Sequence, residues 1–344
     1  MRILVLGGGG FLGWAVARQA MAAGHEVTTF SRGRQPVPDG VTAVHGDRDD
    51  PSPLGGREYD AVIDTSGQIP RDVLASARLL ADATPHYVYV SSMSAVTDWP
   101  AEPVDHTSPT RECPPDAGPD DERYQYGERK AGAERAVLEV FGPDRSTIVR
   151  SGLIIGPRED RNSPRLPWWL LRMARGGPVL APGDRDRPFA AVDVRDLAAW
   201  LIHCAQGRVA GAFCTDPQPG WATMIDLLDF CRHATGSDAV FTWVPDDFLL
   251  KHEVEPWWAL PFWLPPDQGS RVVDSSAALA AGLRCRPLRE TVVDTWASMR
   301  AGETTADSPA RDDRPALGIE PEREKEVLAA WWAFRARQRE YRRR

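Results

Sequence analysis

The sequence has no long hydrophobic run, no clustered cysteines and no excess of positive charge. None of its apolar segments reaches the roughly 20 residues that a membrane-spanning helix needs. The five cysteines lie far apart and form no C-x-x-C pair, which argues against a zinc site and predicts reduced, mostly buried thiols. The formal net charge of −8 argues against a nucleic acid partner. We therefore expect no metal, no membrane and no nucleic acid contact.

We expect no secretory leader either. The first predicted strand begins almost at Met1 and leaves no room for one, so a cytoplasmic location is expected. What remains is a globular composition, because 42% hydrophobic and 26% charged residues fit neither a disordered chain nor a membrane protein. A length of 344 residues suffices for one large core with an elaboration, or for two modest domains.

The N-terminal half alternates short apolar strands with helices. The predicted strands are RILVLG, EVTTF, VTAVHGD, DAVIDTS, HYVYVSS and STIVRSG, and the helices are FLGWAVARQAMAAG, RDVLASARLLADA and ERKAGAERAVLEVFG. Strands that are apolar throughout and separated by helices indicate a parallel sheet covered on both faces. The predicted fold class is therefore α/β, a doubly wound parallel Rossmann sheet with a smaller, interleaved substrate region towards the C-terminus.

The domain boundaries follow from where this alternation weakens. We assign residues 1–156, completed by about 187–210, to the dinucleotide-binding core. Residues 157–186 and 211–302 are assigned to a substrate-binding region, and 303–344 to a polar linker and a last helix that docks through Val327, Leu328, Trp331 and Trp332. The segment from Asp98 to Arg123 is rich in Pro and Asp, and its length is typical of a lid or a disordered flap.

The most informative motif is the run of glycines after the first strand. Gly7, Gly10 and Gly13 have the spacing G-x-x-G-x-x-G between a strand and a helix. Glycine permits a tight turn, lets backbone N–H groups approach a pyrophosphate and allows the helix to pack closely on the sheet. The pattern predicts a dinucleotide site that includes Gly7, Gly10, Phe11, Leu12 and Gly13.

The end of the second strand distinguishes NADP from NAD. Ser31 stands where an acidic residue would hold the ribose 2′-hydroxyl of NAD, and Arg32 and Arg34 follow it. A hydroxyl and two guanidinium groups suit a 2′-phosphate, so NADP is favoured over NAD. After the third strand, Asp47 is expected to accept a hydrogen bond from the adenine amino group and Arg48 to cover the ring.

A candidate catalytic group lies in YQYGERKAG. Tyr126 and Lys130 are one helical turn apart, so their side chains point the same way and the ammonium can lower the pKa of the phenol. A serine at the end of the fifth strand would hydrogen-bond the reacting oxygen. Ser92 is the first choice there, and Ser94 is the alternative.

These segments together resemble the extended or atypical short-chain dehydrogenase/reductases, the NAD-dependent epimerase/dehydratase family. The resemblance covers roughly residues 1–210, through GGGGFLG, GDRDD, VSS with YGERK, VRSGLIIGP and FAAVDVRDLA. It implies that the serine and tyrosine bind the substrate oxygen, that the tyrosine is the acid/base, that the lysine also binds the nicotinamide ribose and that hydride passes to or from the nicotinamide. It further implies Ser92, Tyr126 and Lys130 as the triad, Asp64, Thr65 and Ser66 beside the cofactor, and Leu153, Ile154 and Gly156 near the nicotinamide.

Two departures from the family pattern bear on the site. AVTDW replaces the aromatic-glycine pair that extended members carry shortly after the serine, which keeps Ser94 open as the catalytic serine. Nucleotide-sugar members carry an arginine where this chain has Phe189, although Arg185 and Arg187 lie just upstream.

Three functional hypotheses follow. The first is an NADPH-dependent reductase of a carbonyl or imine group in a small metabolite, for which the tryptophans of the later region could line an aromatic pocket or simply pack the small domain. The second is a redox-neutral epimerase or dehydratase of a sugar or nucleotide sugar. The third is a non-catalytic dinucleotide-binding sensor. The family resemblance also leaves a homodimer open.

Overall fold

The chain folds into two compact units. The computed structural model describes residues 1–100, 103–159, 163–266, 272–304 and 316–343. The first unit comprises residues 1–154, 191–218 and 270–285, and the second comprises 155–190, 219–269 and 286–344. None of the helices in the described ranges is both long enough and apolar enough to span a membrane.

Thirteen strands and ten helices make up the described part of the chain. The strands are β1 Arg2–Leu6, β2 Glu26–Ser31, β3 Thr42–His45, β4 Ala61–Asp64, β5 Tyr87–Ser92, β6 Ser146–Ser151, β7 Ile154–Ile155, β8 Pro178–Pro182, β9 Pro188–Phe189, β10 Val192–Asp193, β11 Gly211–Thr215, β12 Ala222–Thr223 and β13 Val240–Val244. The helices are α1 Phe11–Ala22, α2 Pro70–Leu80, α3 Tyr126–Phe141, α4 Arg165–Ala174, α5 Val194–Gly207, α6 Met224–Thr235, α7 Asp246–Lys251, α8 Ser276–Ala280, α9 Leu288–Arg300 and α10 Pro321–Arg343.

A seven-stranded parallel sheet forms the centre of the first unit, in the order β11-β6-β5-β4-β1-β2-β3. Alternate residues of a strand point to opposite faces, and both faces are covered here. Ile3 and Val5 of β1 belong to one buried core together with α1 and α5, whereas Leu4 and Leu6 belong to a second core with α2 and α3. This two-sided burial explains why the strands are apolar throughout, and it confirms the predicted fold class.

The sheet extends further along the chain than the predicted core. Residues 211–215 were assigned to the substrate-binding region, but as β11 they pair in parallel with β6 and form an edge of the sheet. Ala278 and Leu283 are buried in the same core as α1 and α5. The assignment of 211–302 to one region is therefore corrected, because the backbone groups of β6 need a hydrogen-bonded neighbour and β11 supplies it.

The second unit contains α4, α6, α9 and α10 and the parallel pair of β8 and β13. Trp169 and Trp263 are fully buried. The indole N–H of Trp169 donates to the Pro261 carbonyl at 2.8 Å, and that of Trp263 donates to the Asp246 carboxylate at 2.7 Å. These two tryptophans therefore pack the interior of the second unit, as one of the two interpretations of the aromatic residues expected.

Helix α10 is anchored within the second unit by its buried side and by a buried charge. Of the predicted docking residues, Val327 and Leu328 are buried and Trp331 is 8% exposed, but Trp332 is 48% exposed. Glu324 accepts from the Arg172 guanidinium at 2.7 Å, and both side chains are only 7% exposed. The same carboxylate accepts from the Leu180 backbone N–H at 2.9 Å, which joins α10 to β8.

The proline-rich segment between β5 and α3 is held in the first unit by arginines. Over residues 103–124, six main-chain carbonyl oxygens accept hydrogen bonds from three guanidinium groups. Arg129 and Arg135 lie on α3, and Arg150 lies on β6. The expectation of a disordered flap is therefore wrong for the described residues, because arginines supply the backbone partners that a loop without secondary structure lacks. The cysteines agree with the prediction: all five are unpaired, and all but Cys285 are buried.

Replacing Glu324 with alanine should lower the free energy of unfolding by about 3–5 kcal/mol, because it leaves the buried Arg172 guanidinium without its countercharge. Urea unfolding of the variant measures this loss. Glu326→Ala is the matched control: Glu326 forms an ion pair with Arg323 at 3.0 Å but is 65% exposed, so its loss should have little effect. Similar losses in the two variants would contradict the role of Glu324.

Candidate active site

The glycine-rich turn joins β1 to α1 in the first unit. Gly7 has φ +95°, and its N–H donates to the Phe30 carbonyl at 2.9 Å. A Cβ at Gly7 would lie 2.5 Å from Cβ of Ser66, and a Cβ at Gly13 would lie 2.2 Å from the Gly7 carbonyl oxygen. Side chains are excluded at both positions because the turn, the start of α1 and the end of β4 are packed together.

Gly10 differs from these two glycines, because it faces open space. A Cβ there would meet only the Gly7 carbonyl oxygen, at 3.4 Å, and Gly10 is exposed. It is the N-cap residue of α1 and offers no side-chain cap, so the first N–H groups of the helix, including those of Phe11 and Leu12, have no intrahelical acceptor. Such a helix start fits the pyrophosphate of a dinucleotide.

Thr65 and Ser66 follow β4 and pack against this turn. The Thr65 hydroxyl donates to the Leu6 carbonyl at 2.9 Å and lies 2.8 Å from the position of a Cβ at Gly13. Ser66 lies beside Gly7. The structure therefore brings both predicted residues to the glycine turn.

We call the carboxyl ends of β2 and β3 the adenosine edge, because the sequence predicts that the adenosine half of the dinucleotide binds there. Ser31 pairs with His45, and Ser31 Oγ lies 3.4 Å from the N–H of Gly33, which donates to it. Arg32 and Arg34 are exposed, and neither guanidinium has an ion-pair partner within the residues that the structure describes. Two free cations beside a serine suit an anionic group such as a 2′-phosphate.

Arg48, which is predicted to cover the adenine ring, forms a bidentate ion pair with Asp64, in which both N···O distances are 2.8 Å. Asp64 is fully buried, and a buried carboxylate needs a countercharge. The carboxylate of Asp47, the predicted acceptor for the adenine amino group, accepts from the Arg48 backbone N–H at 2.7 Å.

Asp64 connects the end of β4 to its surroundings. Besides Arg48, its carboxylate accepts from the hydroxyl of Tyr87 at 2.9 Å and from the N–H groups of Ser66 and Gly67 at 3.1 and 3.0 Å. These donors and the guanidinium hold the pKa of Asp64 below its ordinary value, although complete burial acts in the opposite direction. The carboxylate is therefore ionised and shapes the loop that carries Ser66.

Ser92 and Tyr126 lie on neighbouring elements, at the end of β5 and in the first turn of α3. A Cβ at Gly127 would lie 2.3 Å from the Ser94 carbonyl oxygen, so the start of α3 lies directly against the turn after β5. The Ser92 hydroxyl accepts from the Ser94 N–H at 3.2 Å. Tyr126 is 53% exposed, which leaves its phenol accessible to a ligand.

Lys130 lies one turn further along α3 and is buried. Its ammonium donates to the carbonyl oxygens of Gly67 and Val90 at 2.7 and 2.6 Å, and it lies 4.4 Å from the ring centroid of Tyr89. Burial lowers the pKa of Lys130 to about 8, although nearby carboxylates raise it. The ammonium is thus held at the ends of β4 and β5, on the same helical face as Tyr126.

Sequence reasoning did not identify Glu134, which lies one turn beyond Lys130. Glu134 is 3% exposed and accepts from the Ser91 hydroxyl at 2.5 Å and from the Arg150 guanidinium at 3.0 Å. The sequence did contain a signal for it. Glu134 follows Lys130 by four residues and Tyr126 by eight, which places all three on one face of the helix. An acidic residue on a buried face requires a polar partner.

Leu153 and Ile154, which are predicted to lie near the nicotinamide, belong to the first unit. The Leu153 carbonyl accepts from the Val192 N–H at 2.8 Å, and Ile154 packs against the α1 and α5 core. Gly156 belongs to the second unit.

The comparisons with known proteins agree with this arrangement. The family model described as "NAD dependent epimerase/dehydratase family" matches residues 3–212. 2′-Dehydrokanamycin reductase of Streptomyces kanamyceticus is 30% identical over 251 residues, which are 69% of this chain and 67% of that protein. 2-Alkyl-3-oxoalkanoate reductase of Stenotrophomonas maltophilia is 30% identical over 235 residues, 62% of this chain and 68% of that protein.

Solved structures share the fold. UDP-glucose 4-epimerase of Thermus thermophilus in complex with NAD is 19% identical, with a TM-score of 0.62, and the similarity covers 87% of this chain and 99% of that chain. The Bordetella bronchiseptica enzyme WbmH in complex with NAD+ is 18% identical, with a TM-score of 0.63, and covers 87% and 98%. At these identities the likeness concerns the fold alone.

Alanine at Gly10 and alanine at Gly13 should have different effects. Gly13→Ala should lower the melting temperature, because the new Cβ overlaps the Gly7 carbonyl. Gly10→Ala should melt close to the unmodified protein but bind a dinucleotide at least about tenfold more weakly, because its methyl group fills the space at the helix start. Thermal unfolding and nicotinamide fluorescence titration measure the two effects. Normal dinucleotide affinity in Gly10→Ala would contradict the proposed pyrophosphate position.

Proposed function

Because this chain belongs to the NAD dependent epimerase/dehydratase family and is an NAD(P)-dependent enzyme of the short-chain dehydrogenase/reductase type, we propose that it is an NADPH-dependent reductase of a carbonyl or imine group in a small metabolite. The observation that carries the proposal is the close approach of α3 to the turn after β5. That approach puts Tyr126, Lys130 and Ser92 on adjoining elements of one unit.

The proposed chemistry divides between the cofactor and three side chains. A bound nicotinamide dinucleotide supplies the hydride. Ser92 donates a hydrogen bond to the substrate oxygen, and Tyr126 donates its phenolic proton to the same oxygen, so that the carbonyl becomes an alcohol. The Lys130 ammonium stabilises the phenolate that remains. Since Tyr126 is 53% exposed, it can recover its proton from solvent.

The preference for NADPH rests on the adenosine edge. Arg32 and Arg34 are exposed, and no carboxylate in the described part of the chain neutralises them. Ser31 leaves space for a phosphate where an acidic side chain would repel it. NAD is the alternative cofactor, and it would contact the same edge through its ribose hydroxyl.

The choice of a reductase is supported by the two relatives named as reductases. A nucleotide-sugar epimerase is less well supported, because Phe189 replaces the expected arginine and one of the two arginines just upstream of it, Arg187, is engaged elsewhere. The guanidinium of Arg187 forms an ion pair with Asp246 at 2.5 Å and donates to the Leu264 carbonyl at 2.8 Å. A charge that already holds a carboxylate is poorly suited to grip a diphosphate as well.

Replacing Arg32 with alanine should weaken NADPH binding by about tenfold or more, because a charge-assisted contact to the 2′-phosphate is lost, and should leave NADH binding nearly unchanged. Tryptophan fluorescence titration with each dinucleotide provides the measurement. Arg57→Ala is the control. Arg57 is exposed and precedes β4, at the amino end of a strand, whereas Arg32 follows the carboxyl end of β2. Equal losses of affinity for NADPH and NADH would argue against recognition of the 2′-phosphate by Arg32.

Tyr126→Phe should reduce turnover by about 10²- to 10⁴-fold while NADPH affinity stays nearly intact, because only the acid is removed. Oxidation of NADPH in the presence of 2′-dehydrokanamycin or a 2-alkyl-3-oxoalkanoate provides the first assays. Tyr124→Phe is the matched control, since Tyr124 precedes α3. Unchanged turnover in Tyr126→Phe would contradict the role of Tyr126 as the acid, and binding of a dinucleotide without any turnover by the unmodified protein would favour the sensor hypothesis. Turnover without net NADPH consumption would favour the epimerase.

A further inference from the structure

A line of polar contacts runs from the adenosine edge to the interior of the sheet. Arg48 follows β3, the edge strand, whereas Asp64 ends β4, and β2 and β1 lie between these two strands. The loop after β3 and the Arg48 side chain together therefore connect two strands that are not neighbours in the sheet. The same guanidinium lies 3.4 Å from the Ser66 hydroxyl, beside the glycine turn.

The contacts continue through a single residue, Gly67. Its N–H donates to Asp64 at 3.0 Å, and its carbonyl accepts from Lys130 at 2.7 Å and from the Tyr89 hydroxyl at 2.8 Å. A Cβ at Gly67 would lie 2.6 Å from the Val73 side chain and 2.9 Å from Tyr89. Gly67 is closely packed, so the direction of its carbonyl depends on the group that holds its N–H.

We propose that Asp64 and Arg48 are positioning residues for Lys130. Through the backbone of Gly67 they hold the ammonium at the ends of β4 and β5, and their charges act on it, so that the loop at the adenosine edge influences the lysine of the candidate site. This inference rests on the proposed function for the meaning of Lys130 in catalysis. The contacts themselves do not depend on it.

Asp64 and Arg48 carry opposite charges, so their effects on the pKa of Lys130 can be told apart. Burial has the largest effect and lowers the pKa of Lys130 to about 8. Asp64 and Glu134 raise it, and Arg48 lowers it, while the Tyr89 ring lies 4.4 Å from the ammonium. Removal of Asp64's charge and removal of Arg48's charge should therefore change the protonation of Lys130 in opposite directions. Loosening of the fold would move both variants the same way.

The sequence makes a direct measurement practical. Besides Lys130, the chain contains only Lys251 and Lys325. Lys251 is exposed and Lys325 is 76% exposed, so the two provide reference signals in the same spectrum. Isotope-labelled lysine in the full chain thus allows Lys130 to be titrated by NMR without substrate or cofactor, and Lys130→Arg identifies its signal.

We expect Asp64→Asn to lower the titration midpoint of Lys130 and Arg48→Gln to raise it. Glu324→Gln, which breaks a buried ion pair of the second unit, is the matched control and should leave the midpoint unchanged. Shifts of both variants in the same direction, or no shift in either, would overturn the proposal.

A second variant covers the case in which Asp64→Asn does not fold because Arg48 is left buried without a countercharge. The double variant with Asp64→Asn and Arg48→Gln removes both charges. Its midpoint should lie below that of Arg48→Gln alone, and an equal or higher midpoint would overturn the proposal. Because the titration needs no turnover, this inference can fail while the proposed reductase activity is found, and the activity can be missing while the coupling is found.

Discussion

The buried carboxylate of Asp64 is the constraint on which the rest of the first unit depends. An ionised group with no solvent contact persists only if its surroundings supply charge and hydrogen bonds. Here one guanidinium, one phenol and two peptide N–H groups do so, and they come from three parts of the unit: the loop after β3, β5 and the loop after β4. The contacts of this one carboxylate therefore fix the positions of the adenosine edge, the glycine turn and the residues around Lys130 relative to one another.

A second buried charge performs the same task one turn further along the same face of α3. Glu134 binds Ser91 of β5 and Arg150 of β6, and Arg150 extends to the carbonyls of His106 and Ser108. The buried face of α3 thus contacts two polar clusters, one around Lys130 and one around Glu134. Because breaking either cluster leaves a charge unpaired inside the protein, the clusters fix the position of the helix, which the proposed transfer of hydride and proton requires.

The sequence predicted the elements that a local residue pattern encodes, but not the contacts between residues that lie far apart in the chain. Alternation of apolar strands and helices sufficed for the sheet and both its faces, and the spacing of Tyr126 and Lys130 sufficed to place them on one helical face. The partner of Arg48 could not be deduced, because Asp64 is brought near it only when β1 and β2 have formed between them. Strand β11 was misassigned for the same reason: an edge strand of five residues has no local signature that distinguishes it from a strand of another region.

The anchoring of the proline-rich segment has a consequence for how such a protein diversifies. The guanidinium groups of Arg129, Arg135 and Arg150 bind mainly main-chain oxygens, which every amino acid possesses. The exposed side chains along the described part of this segment are therefore released from the task of holding it in place, whereas Val104, Cys113 and Ala117 are buried. Substitutions at the exposed positions should cost little stability, so that the surface of this segment can vary while the frame of the fold is kept.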